Sequence, residues 1–155
     1  MSPFEIDPVS LLVDAHGGVP LGALEAGLSV SGFTLGLEGA DMDATVARWL
    51  AEGARGAPSP WDDPVDHLVA GFVARSRSGK ELVVRPAPRR SVGPDLAALV
   101  VGQRERFFTV IRATLRIAPI AHSRPRLPFV EPPQPPVSAE EEALLARIAL
   151  ELSKL

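Results

Sequence analysis

The longest stretch of the chain with one clear apolar period runs from Asp95 to Ile117. On a helical wheel, which advances about 100° per residue, its large apolar side chains gather on one side. These are Leu96, Leu99, Val100, Phe107, Val110 and Ile111. Pro94 and Asp95 suit a first helical turn, and Pro119 would end the helix. The pattern therefore predicts a central amphipathic helix over about residues 95–117.

The second half of this stretch also fits a β-strand. Between Phe107 and Ile117, apolar residues alternate with Arg112, Thr114 and Arg116, and several residues are β-branched. We favour the helix and keep a strand over 107–117 as the alternative.

Shorter segments before this stretch predict a small antiparallel sheet. Val9–Val13 has the length and composition of a strand, and Leu28–Leu37 alternates as a strand or a hairpin. Leu68–Arg75 and Glu81–Arg85 read as two strands joined by a turn at Gly79.

Two helical segments are expected among these strands. Leu21–Ala26 is long enough for one helical turn. Asp41 or Asp43 can cap a helix that continues through Glu52, with Gly53 as its stop.

The C-terminal part of the chain changes character. Six of the fifteen residues 123–137 are proline, which favours an extended, semi-rigid tether. Ser138 and Glu141 then have the spacing of a helix capping box. The helix that follows carries an apolar stripe made of Leu144, Leu145, Ile148, Leu152 and Leu155. So short an amphipathic helix needs a surface to lie on.

These elements predict an α+β fold, in which a small antiparallel sheet packs on the central amphipathic helix. A chain of 155 residues is long enough for one domain with a buried core. We expect a single domain over residues 1–122, a Pro-rich linker over 123–137 and a C-terminal docking helix over 138–155.

Composition excludes several kinds of chemistry. Without cysteine the chain has no disulfide, no thiolate nucleophile and no cysteine-ligated metal. The N-terminus lacks the basic and apolar regions of a signal peptide, and no run approaches the ~20 apolar residues of a membrane span. We therefore expect a soluble cytoplasmic protein.

Charge is distributed unevenly along the chain, although the net charge is only −3. Residues 1–66 carry 11 acids and 2 bases, residues 67–126 carry 12 bases and 3 acids, and the remainder is weakly acidic. The oppositely charged segments can face each other within one fold or between subunits, or the basic segment can meet an external polyanion.

Two groups of residues have ligand-type side chains. Asp14 and His16 lie close together, and Asp62, Asp63, Asp66 and His67 form an acidic cluster. Neither has the spacing of a known metal site, so a turn and a helix start are the favoured interpretations. No motif predicts a cofactor.

Basic residues cluster around the predicted hairpin. They are Arg75, Arg77, Lys80, Arg85, Arg89 and Arg90. Arginine binds phosphates and carboxylates alike, but nucleic-acid binding would call for interleaved aromatic residues as well. We expect this hairpin to contact an acidic protein partner, or the acidic first half of the same or a neighbouring chain.

Together these patterns favour a non-enzymatic interaction or assembly subunit of a bacterial complex. It would dock through the leucine stripe of its C-terminal helix and through the Arg-rich hairpin, onto another protein or a second copy. The first alternative is a nucleic-acid-associated regulator that uses the basic segment 67–126. The second is a small metal-dependent enzyme that uses Asp14, His16 and residues 62–67.

Overall fold

The computed structural model of the protein describes residues 2–56, 68–86, 96–122 and 137–154. Within these ranges, the strands are β1 (Phe4–Asp7), β2 (Leu12–His16), β3 (Phe33–Thr34), β4 (Val69–Ser76), β5 (Glu81–Val84), β6 (Phe108–Arg116) and β7 (Ala118–Pro119). The helices are α1 (Leu21–Val30), α2 (Val46–Ala51) and α3 (Ala139–Ser153), with short 3-10 segments at Leu96–Leu99 and Ile120–His122.

The main sheet has the strand order β1-β2-β6-β4-β5, and every neighbouring pair is antiparallel. A second, two-stranded sheet pairs β3 with β7. The fold of the described residues is therefore α+β with a small antiparallel sheet, as the sequence predicted.

The core lies between one face of the main sheet and the first two helices. Val13 on β2 and Leu115 on β6 are fully buried, and so are the three leucines of α1, which are Leu21, Leu24 and Leu28. Their spacing of three and four residues places them on one side of α1. Each buried leucine contributes roughly 1.5–3 kcal/mol from the removal of its side chain from water.

The predicted central helix over 95–117 is wrong, and the strand alternative is correct. Leu96–Leu99 forms a short 3-10 segment, and β6 is the middle strand of the sheet. Between them, Gly102, Arg104 and Glu105 have positive φ angles of 75°, 49° and 58°, which no continuous right-handed helix contains.

The predicted strand over 28–37 is also wrong. Helix α1 extends through Val30, and the chain then turns at Gly32 (φ 81°) into the two-residue strand β3. Leu28 faces the core whereas Val30 is 91% exposed, so the alternation read from the sequence did not reflect a buried sheet face.

The other predicted elements agree more closely with the structure. The hairpin of β4 and β5 turns through Gly79 (φ 87°). Helix α2 buries Val46, Trp49 and Leu50 and ends before Gly53 (φ 94°), but it starts later than expected. Its cap is Thr45, whose side chain accepts a hydrogen bond from the Arg48 N–H at 3.3 Å, instead of Asp41 or Asp43.

The C-terminal helix α3 begins at its predicted capping box. Ser138 Oγ accepts from the Glu141 N–H at 3.2 Å, and the Ser138 N–H donates to Glu141 Oε2 at 2.8 Å. Apart from Val137, the predicted Pro-rich linker lies outside the described residues. Among the helices that the structure describes, none has the length and apolar content to cross a membrane.

We predict that the start of α3 loosens in acid. The Ser138 backbone N–H, and then the Ser138 side chain, hold the pKa of Glu141 below its ordinary value of 4.5. Because the folded state depresses this pKa, the stabilisation is complete above 4.5 and is lost as the pH falls through the lowered pKa. The pKa of Glu141 in the intact chain, measured by NMR titration of its side chain, should lie below 4.5. In Glu141→Gln the helix start should no longer depend on pH in this range, and an ordinary Glu141 pKa would contradict the prediction.

Candidate functional site

The first candidate site is a loop that a single carboxylate holds in place. Glu25 Oε1, on helix α1, accepts hydrogen bonds from Thr34 Oγ1 at 3.0 Å, the Leu35 N–H at 3.0 Å and the Gly36 N–H at 3.2 Å. We call Thr34–Gly36 the Glu25 loop. Three donors on one oxygen fix the path of the chain as it leaves β3.

The other oxygen of the same carboxylate has no partner in the described part of the chain. Glu25 Oε2 is buried and accepts no hydrogen bond there. A buried acceptor without a donor is uncommon in folded proteins. It marks this loop as a place where a further donor fits.

The second candidate site is a cleft of about 400 Å³ between α3 and the end of the main sheet. We call it the helix cleft. The sheet side consists of Ser76, Arg77, Arg106 and Phe107, and the helix side consists of Glu142, Ala146, Ala149, Leu150, Leu152 and Ser153. Arg106 Nη2 lies 3.1 Å from Glu142 Oε1 and ties the helix to the domain.

The structure distributes the Arg-rich hairpin over several surroundings. Arg75 pairs with Glu81 across the hairpin at 2.9 Å, and Arg77 lines the helix cleft. Lys80 and Arg85 are exposed. Arg89 and Arg90 lie outside the described residues. All four described basic residues of the hairpin are exposed, and whether they bind a partner stays a prediction.

The residues proposed as metal ligands do not form such a site in the described part of the chain. Asp14 Oδ1 lies 2.9 Å from Arg112 Nε, and His16 Nδ1 accepts from the Gly18 N–H at 3.2 Å. The cluster at 62–67 lies outside the described residues. Within the described ranges, no group of three or more His, Asp or Glu side chains could hold a metal ion.

The Asp14–Arg112 pair also explains part of the uneven charge distribution. It joins the acidic first segment to the basic middle segment across the β2–β6 pairing. Both side chains are 41% exposed, so the pair contributes little to stability but neutralises charge within the fold.

The predicted leucine stripe of α3 is only partly covered. Leu145 and Leu152 are half-buried, while Leu144 and Ile148 are 51% and 39% exposed. Leu155 lies outside the described residues. Whether this stripe binds a partner remains a prediction, which is taken up below.

Sequence reasoning missed the two residues that organise these sites. Glu25 looks like any exposed helical glutamate, since its three donors follow nine to eleven residues later in a loop without a motif. Arg106 lies within the stretch that was wrongly predicted as a helix, and its partner Glu142 is 36 residues away. Neither contact has a local sequence signal.

Two curated proteins of Escherichia coli K12 are similar to this chain in sequence. The glycolate oxidase subunit GlcE is 30% identical over 123 residues, which is 77% of this chain and 34% of GlcE. The uncharacterized FAD-linked oxidoreductase YgcU is 26% identical over 113 residues, which is 72% of this chain and 23% of YgcU. The chain thus spans about a quarter to a third of the length of these relatives. No family model matches it.

Solved structures share the fold. Two crystal structures of alkyldihydroxyacetonephosphate synthase superpose with TM-scores of 0.62 and 0.61 at 18% and 20% identity. Each superposition covers 74% of this chain and about a fifth of the synthase, 20% and 22% respectively.

These comparisons overturn the expectation of a non-enzymatic interaction or assembly subunit. The proteins that resemble this chain in sequence are named as an oxidoreductase and as a subunit of an oxidase. The expectation failed because these residues carry no reaction motif, and an absent motif was taken as evidence against an enzyme.

Proposed function

We propose that this chain is an α+β domain of an FAD-linked oxidoreductase. The observation that carries the proposal is the similarity to GlcE and YgcU over about three quarters of the chain. The shared fold of the synthase structures agrees with a domain of a larger enzyme, because that fold occupies only about a fifth of the synthase.

The described residues do not by themselves form a site for FAD. A dinucleotide needs a pocket that covers most of its surface, and a diphosphate needs N–H donors that approach it closely. At the glycines with the tightest surroundings, the space is already filled by the chain itself, by the Phe4 ring at Gly27 and by backbone at Gly17, Gly56 and Gly71. An added Cβ would lie 2.3 Å from Val110 O at Gly17, 2.6 Å from Glu38 O at Gly56 and 2.6 Å from Val84 O at Gly71.

Neither the helix cleft nor the Glu25 loop has side chains that suit FAD. The helix cleft contains Arg77 and Arg106, but Glu142 already pairs with Arg106 and brings negative charge to the same place. The orphan oxygen of Glu25 would accept from a hydroxyl or an N–H group, and it would repel a phosphate. We therefore derive no catalytic step from these residues.

It follows that the cofactor would be held jointly with another part of the enzyme. GlcE is named as a subunit, so we propose that this domain works in a multi-part assembly. The exposed hairpin residues Lys80 and Arg85 are its proposed contact surface.

We predict that FAD accompanies the assembly and not the isolated domain. The full chain should be purified alone and, with an affinity tag, from its native host. Flavin should then be measured by absorbance and by mass spectrometry after denaturation. The isolated chain should carry no flavin, whereas the host assembly should carry about one FAD per chain. The tag expressed alone is the control, and a host assembly without flavin would refute the proposal.

A further inference from the structure

Helix α3 lies against its own domain on one side and leaves the large apolar side chains of Leu144 and Ile148 uncovered, 51% and 39% exposed. The helix cleft is lined by the small residues Ala146, Ala149 and Ser153, and by Leu150 and Leu152. At about 100° per residue, Ile148 lies about a third of a turn and Leu144 about half a turn from the middle of Ala146, Ala149 and Ser153. Of the fifteen residues of α3, none is buried. Leu144 and Ile148 are therefore free to be covered, and Leu152, at the edge of the helix cleft, keeps part of its surface exposed.

The charges beside this apolar side point to what covers it. Glu140, Arg147, Glu151 and Lys154 fall within about 60° of one another on the wheel, along one border of the leucine stripe. From the N-terminus to the C-terminus they read acid, base, acid, base. When a second helix runs in the opposite direction, the same order places a base opposite each acid and an acid opposite each base.

We propose that α3 pairs antiparallel with α3 of a second copy of this chain. A two-fold axis beside Ile148 places Leu144 against the second copy's Leu152 and joins the two Ile148 side chains. The same axis sets Glu140 opposite Lys154 of the second copy, and Arg147 opposite Glu151. All four charges of the border thus meet an opposite charge on the partner helix.

The parallel arrangement is disfavoured by the same charges. It would bring Glu140, Glu141 and Glu142 of one helix beside the same three residues of the other. Like charges at that spacing repel. In the single chain, Lys154 pairs with Glu151 of the same helix, and their side chains are 59% and 70% exposed. Antiparallel pairing would replace this ion pair, which is weak because it is exposed.

The test is the mass of the full chain by sedimentation equilibrium over a wide range of concentrations. We expect a monomer–dimer equilibrium in which Ile148→Glu raises the dissociation constant about a hundredfold, because this residue is buried twice at the axis. Ala143→Glu is the matched control, since Ala143 is exposed and faces away from the stripe. It should leave the dissociation constant unchanged, and circular dichroism should show equal helix content in both variants.

Charge reversal tests the orientation. Arg147→Glu and Glu151→Arg should each weaken the dimer about tenfold, because each creates two like-charged contacts across the axis. The double variant should restore the dissociation constant of the natural chain. A monomer at every concentration would overturn the proposal. So would a dimer that survives Ile148→Glu, equal loss in the Ala143→Glu control, or a double variant no stronger than the single ones. The outcome is independent of whether the assembly contains FAD.

Discussion

Replacing Gly17 with alanine is expected to lower the free energy of unfolding by about 3 kcal/mol. Gly17 lies where the main sheet meets helix α2. Its N–H donates to Ile111 O on β6 at 2.8 Å, and its carbonyl accepts from the Ala47 N–H at 2.8 Å. A Cβ at this position would stand 2.3 Å from Val110 O and 3.2 Å from the Cβ of Ala47. The second hydrogen bond holds Ala47, and the first holds Ile111, which directly follows Val110 in the middle strand of the sheet, so both neighbours resist displacement.

The next residue supplies the control. A Cβ on Gly18 would lie 3.5 Å from His16 Nδ1, which is an ordinary contact. Gly18→Ala should therefore change stability by less than about 1 kcal/mol. For a chain of this length the Gly17→Ala loss corresponds to a fall in Tm of roughly 6–12 °C, which thermal denaturation can measure. Equal melting temperatures for the two variants would show that the backbone around Val110 is not rigid.

The sheet that forms this junction shows why the sequence misled us about residues 95–117. The pairing of β4 with β6 changes register between Val73 and Ala74, whose partners are Arg112 and Val110. Ile111 is therefore an extra residue in β6, with no partner in β4. This bulge places Val110 and Ala113 on the same buried face at a spacing of three, which is also a helical spacing. A strand with a bulge can therefore show the same spacing of apolar residues as an amphipathic helix.

The elements that could be predicted correctly are those with local chemistry. The capping box of Ser138 and Glu141, the turn at Gly79 and the stop at Gly53 each depend on residues within a few positions of one another. The sheet order, the Asp14–Arg112 pair and the Glu25 loop depend on contacts between distant segments. No periodicity in a single sequence reports such contacts.

Removal of the Glu25 carboxylate is the second change with a large expected effect. Glu25→Ala should lower the free energy of unfolding by about 2–3 kcal/mol, because it leaves Thr34 Oγ1 and the Leu35 and Gly36 N–H groups without their acceptor in a partly buried place. Chemical denaturation measures this loss. Hydrogen exchange should show the Leu35 and Gly36 amides losing protection while the amides of β6 keep theirs.

Two further variants separate the carboxylate's hydrogen bonds from its charge. Glu25→Gln keeps an oxygen for the three donors and places an NH₂ group where Oε2 has no partner, so it should retain most of the stability that Glu25→Ala loses. Glu52→Ala removes an exposed glutamate that pairs with Arg48, and it should cost less than about 1 kcal/mol. If Glu25→Gln were as unstable as Glu25→Ala, the negative charge itself would be required.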